Sequence, residues 1–107
     1  MTLQEAQKKV DDWINKYGIR YFNELTNLAV LMEETGELAR IMARKFGEQS
    51  SKKEDLKYKL QEELADILFV LICIANQTNT DLTQAFEESL LKKTKRDHTR
   101  HINNPKL

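Results

Sequence analysis

The chain has 107 residues, room for one domain with a modest core, and its seventeen acidic residues balance seventeen basic ones, so no overall field favours a nucleic acid polymer or a membrane surface. Charged residues make up 32% and aromatics 7%, with three glycines and one proline, a composition that reads as an all-helical soluble protein. The single cysteine, Cys73, excludes a disulfide within one chain, and the longest apolar run, Ile67 to Ala75, is nine residues where a bilayer span needs about 20. The N-terminal MTLQEAQKK has no secretory-type apolar segment, so a cytoplasmic location and one domain over residues 1–107 are the expectation.

Four helices have recognisable starts. The first opens with Thr2 and Glu5 in capping-box spacing, and Leu3, Ala6, Val10, Trp13, Ile14 and Tyr17 keep a helical period until Gly18 ends it. Asn23 caps the second, which runs from about Glu24 to Phe46 before Gly47. GEQSSKKED is a polar loop, and Ser51 with Glu54 makes a capping box for the third helix, which carries Leu56, Leu60, Leu64, Ile67, Leu68, Leu71, Ile72 and Ala75. From Ile67 to Ala75 this helix is apolar on every side, so a partner subunit is expected to cover it, giving a homodimer or a dimer of dimers. Asp81 with Gln84 starts the fourth helix, which carries Leu82, Ala85, Phe86, Leu90 and Leu91 and then turns basic. The protomer is expected to be four-helix-bundle-like, with the tail 98–107 loosely ordered or docked on a neighbour.

Chemistry concentrates in two carboxylate pairs, Glu34 with Glu37 and Glu63 with Asp66, each spaced i, i+3 and therefore on one helix face. Taken alone, such spacings are ordinary solvated faces. Here Glu34 shares a stripe with Val30, Leu31, Leu38 and Ile41, and Glu63 continues into Ile67, Val70, Leu71 and Ile74. The only cation at i±3 or i±4 of Glu63 or Asp66 is Lys59. Two carboxylates about 5 Å apart at an effective dielectric near 20 repel by roughly 3 kcal/mol, so two pairs facing one another would cost stability unless a cation lay between them. Oxygen ligands with no histidine or cysteine nearby suit hard ions, Mg²⁺ or Mn²⁺, over zinc or copper, and the Glu-x-x-His of di-iron bundles is missing. Mg²⁺ completes its shell with water and phosphate oxygens, which points to a nucleotide or polyphosphate enzyme.

EETGE at Glu33, Glu34 and Glu37, followed 25 residues later by EELAD at Glu63 and Asp66, resembles the EExxE…ExxD signature of MazG-like nucleoside triphosphate pyrophosphohydrolases, within the all-α NTP pyrophosphatase superfamily. The resemblance runs from the first helix into the basic end of the fourth. It implies hydrolysis of a (deoxy)nucleoside triphosphate between the α- and β-phosphates, in nucleotide-pool house-cleaning, with Mg²⁺ held by catalytic Glu34, Glu37, Glu63 and Asp66 and with Glu33 as an auxiliary that orients a water or faces solvent. It also implies triphosphate contacts from the fourth helix, for which Lys93 and Arg96 fall nearest; some relatives carry a lysine where this chain has Ser89. The competing reading of these cations is that they complement the helix dipole. His98 and His101 read as surface residues. Relatives acting on dCTP carry a tryptophan and a tyrosine at the positions of Arg44 and Val70, so no nucleobase is assigned. Trp13, Tyr17, Tyr21, Phe46 and Phe69 are candidates to stack a base, though such aromatics usually belong to a core. A non-catalytic helical interaction module and a different metal-dependent phosphate hydrolase are the alternatives.

Overall fold

The computed structural model describes residues 1–50 and 56–107, so the Ser51–Glu54 capping box lies outside the described residues. Four α-helices, α1 (Leu3–Trp13), α2 (Glu24–Phe46), α3 (Leu56–Gln77) and α4 (Leu82–Asp97), account for the regular structure, with no strand among the described residues. The Thr2 hydroxyl oxygen accepts the Glu5 N–H at 3.0 Å while donating to the Glu5 carboxylate at 3.1 Å, so the first cap forms as expected. Asn23 accepts from the Thr26 N–H at 2.8 Å, and Asp81 from Thr83 and Gln84 at 3.0 and 3.3 Å.

The ends of the helices carry the departures from simple periodicity. Instead of running as α-helix to Gly18, α1 widens into a π-helical turn over Ile14–Gly18, which keeps Ile14 in the core. Gly47 ends α2 without a left-handed angle; a Cβ there would collide with the Ala43 carbonyl oxygen. α3 closes in a Schellman motif, with Thr80 N–H on Ala75 O at 2.8 Å, Asn79 N–H on Asn76 O at 3.2 Å, and Asn79 at φ 55°. Asparagine tolerates that left-handed position, which glycine usually fills.

α2 and α3 form an antiparallel pair, with Asn27 beside Gln77 at one end and Glu34 beside Glu63 and Asp66 further along. α1 lies against α3, and α4 packs chiefly on α1, where the Gln7 side chain accepts the Leu82 N–H and donates to Thr80 O. Ile14, Ile41, Val70, Ile72, Cys73 and Ala75 make the buried core. The four helices therefore do not close into a compact bundle: the radius of gyration is 17.4 Å, against about 13 Å for a compact chain of this length. One uncovered stripe runs along α2 at Leu25, Leu28 and Met32. Another runs along α3 at Leu64, Leu68 and Leu71 and faces Phe86 of α4 across an apolar groove. No described helix is long and apolar enough to cross a membrane.

Candidate metal and nucleotide site

Glu34 of α2 and Glu63 and Asp66 of α3 each bring a carboxylate oxygen to within 4.8 Å of the other two. The antiparallel pairing of α2 and α3 produces this: an i, i+3 spacing on α3 presents both of its acids to one turn of α2. Glu63 is buried, and its Oε1 has no hydrogen-bond donor. An orphaned anionic oxygen inside an acidic cluster is costly by itself and suits a hard cation, as the all-oxygen donor set does. The Glu34 and Glu63 carboxyls lie close enough to share a proton; that hydrogen bond, then burial, then the charges of Glu34, Asp66 and Glu37 push Glu63 up to about 7.

The other expected site residues fall differently. Glu37 is exposed and contributes its charge to Glu63 without joining the three clustered oxygens. Glu33 is also exposed. On α4, Lys93 donates to Ser89 at 2.7 Å, in the position where some relatives carry a lysine. Arg96 pairs with Asp97 at 2.7 Å, and together with Arg100 at 3.3 Å it holds that carboxyl down at about 2. Neither Lys93 nor Arg96 lines the cavity that contains the acids.

That cavity, of about 490 Å³, has Glu34 and Asp66 in one part of its wall and Trp13, Tyr21 and Phe69 in another. Trp13 meets Phe69 edge-on at 5.7 Å between centroids, and Tyr17 stands 5.6 Å from Trp13 on the exposed side. Phe46 is exposed at the far end of α2, with Lys45 over its ring. Among the described residues lining the cavity, Arg20 alone is basic. Cys73, also in the wall, is pushed up to about 11 by burial, so its thiol stays protonated and unreactive at neutral pH.

Arg20, Tyr21 and Phe22, which complete the cavity wall, lie in a segment held by a polar network. Buried Asn27 donates to Phe22 O at 3.3 Å and to the Gln77 side chain at 2.8 Å, and Gln77 donates to the same carbonyl at 2.8 Å. The Tyr21 hydroxyl donates to Asp11 at 2.7 Å and accepts from Asn76 at 3.0 Å, and burial followed by the Asp11 hydrogen bond pushes it up to about 12. Sequence reasoning missed Arg20 and this network. Asn27 gave a signal, since it continues the stripe of Val30, Glu34 and Ile41 as a polar residue on a core-facing line; Arg20 gave none.

A model of the MazG nucleotide pyrophosphohydrolase domain matches residues 22–101. Two proteins of Bacillus subtilis (strain 168) are similar along nearly their whole length. YpjD is 36% identical over 99 residues, 92% of this chain and 89% of YpjD, and YvdC is 29% identical over 102 residues, 90% and 96%. Among solved structures, the Bacillus-conserved MazG protein, a nucleotide pyrophosphohydrolase, superposes with a TM-score of 0.74 at 39% identity, covering 86% of this chain and 88% of that one. The Bacillus subtilis YpjD crystal structure superposes with a TM-score of 0.78 at 36% identity, covering 91% and 97%.

Proposed function

The chain belongs to the MazG nucleotide pyrophosphohydrolase family, and from that premise we propose that it hydrolyses (deoxy)nucleoside triphosphates to the monophosphate and pyrophosphate, using Mg²⁺ held by Glu34, Glu37, Glu63 and Asp66. The observation that carries the reading is the Glu34, Glu63 and Asp66 cluster around the unpartnered Glu63 Oε1, with Glu34 and Asp66 in the wall of a cavity large enough for part of a nucleotide. Bound there, the ion would neutralise phosphate charge and raise the acidity of the attacking water. Buried Glu63 would anchor the ligand set, with exposed Glu37 supplying a further carboxylate from the flank of α2 and Glu33 orienting the water. Water adds to the α-phosphorus, the bond to the bridging oxygen breaks, and pyrophosphate leaves.

Assembly belongs to the same proposal. The protomer exposes 8896 Å² at 12.6 kDa, where a compact monomer of that mass exposes about 6200 Å². A homodimer or dimer of dimers covering the α2 and α3 stripes accounts for the excess. Lys93 and Arg96, off the cavity within one protomer, serve as phosphate contacts only in such an assembly. A cytoplasmic role on the nucleotide pool follows from the substrate class. Incubating the protein with ribo- and deoxyribonucleoside triphosphates and Mg²⁺ tests the reading: pyrophosphate with the monophosphate is expected, and release of orthophosphate, or of nothing, contradicts it.

A further inference from the structure

We propose that Arg20 is a phosphate-contacting residue of the substrate site, an inference that rests on the nucleotide reading above. Arg20 lines the cavity that holds Glu34 and Asp66, yet among the described residues it forms no ion pair. Among the described residues its guanidinium makes one hydrogen bond, from Nη1 to Tyr21 O at 2.8 Å, out of the five donors of its planar fork. A permanent cation that shares a cavity with carboxylates but does not neutralise them is placed for an anionic ligand. A triphosphate offers such oxygens, which arginine can engage bidentately while Glu34 and Asp66 would hold the metal.

The backbone holds Arg20 there at a cost. Ile19 sits at φ 70°, ψ −55°, and the Arg20 N–H bonds Gly18 O at 2.8 Å, which is the rare and strained form of γ-turn, here centred on a β-branched residue. Strain of this kind persists only where the surroundings over-determine it. Those surroundings are present: the Phe22 carbonyl is gripped by Asn27 and Gln77, and the Tyr21 hydroxyl by Asp11 and Asn76, so the two residues after Arg20 are pinned to α1, α2 and α3. The turn therefore fixes the backbone of an exposed arginine that lines the wall of the acidic cavity and has no ion pair among the described residues.

The test compares wild type with Arg20→Ala and Arg20→Lys in calorimetric binding of α,β-methylene deoxynucleoside triphosphates of all four bases with Mg²⁺, beside KM and kcat for the natural triphosphates. Arg20→Gln replaces the alanine variant should that one lose its helical circular dichroism. Expected is a weakening in Kd and KM of about fivefold or more for every base, with Arg20→Lys recovering part of it, kcat little changed and Mn²⁺ affinity intact. A smaller effect, or a loss confined to one base, overturns the proposal. Wild type that releases no pyrophosphate but binds the analogues through Arg20 defeats the activity reading and leaves Arg20 in place; wild type that neither binds an analogue nor releases pyrophosphate defeats both.

Discussion

Glu63 is where the energetics of the site concentrate. In the metal-free protein its carboxyl stands at about 7, above the 4.5 of an unfolded glutamic acid, so the native state holds more protons than the unfolded one. Its contribution to stability is fully present below about pH 4.5 and is lost as pH rises through 7. With EDTA, wild type is therefore expected to lose melting temperature between pH 5 and pH 8 more steeply than Glu63→Gln, and at pH 8 the mutant should melt higher. Millimolar Mg²⁺ should raise the melting temperature of wild type well above its effect on the mutant, because it binds the native cluster by mass action. Equal responses of the two proteins would remove Glu63 from the ligand set. For catalysis, Asp66→Asn and Glu37→Gln should each lower pyrophosphate release at least about 100-fold with helical circular dichroism unchanged. Near-normal release from either variant would displace that residue from the site.

At the scale of elements, local chemistry made much of the fold legible. Thr2, Asn23 and Asp81 cap helices because a short side-chain oxygen followed by helix-forming residues leaves the first N–H groups few other partners. The two carboxylate pairs were legible for a related reason: acids in an apolar stripe stand out, and the pairing of α2 with α3 brings three of the four together. Long-range polar contacts leave no periodic trace, so the bond from Asn27 to Gln77, fifty residues apart, and the turn that places Arg20 were not. Widening of the helix at Ile14 was equally hidden, since the apolar spacing fits an α-helix through Tyr17. The Asn27 bridge now carries its own prediction. Asn27→Ala removes two donated bonds from a buried position and strips the Gln77 side-chain oxygen of its donor, which should destabilise the protein by about 1–3 kcal/mol. It should also raise KM more than it lowers kcat, since the loop bearing Arg20 loosens while the acids stay. Urea unfolding and steady-state kinetics on this variant check both, and unchanged stability would mean that the loop is held elsewhere.

The protomer as a whole is short of a core. Its buried apolar residues are few among the described residues, while Leu25, Leu28, Met32, Leu64, Leu68, Leu71, Phe86 and Leu90 are all exposed by 40% or more. The excess of roughly 2700 Å² over a compact monomer is on the scale of obligate homodimer interfaces, which resemble a core cut in half. The exposed stripe of α3 begins at Leu64, the residue after Glu63, so whatever covers Leu64, Leu68 and Leu71 also fixes the helix that positions Glu63 and Asp66. A partner on this stripe would therefore couple assembly to site geometry through α3. Light scattering at micromolar concentration should report a dimer or tetramer whose melting temperature rises with protein concentration. Placing charges on the stripe with Leu68→Lys and Leu71→Lys should shift the protein toward monomer, lower its melting temperature and reduce pyrophosphate release together. A wild-type protein that scatters as a stable monomer, with a melting temperature independent of concentration, would show that these helical faces are tolerated in water and that α3 holds its carboxylates without a partner.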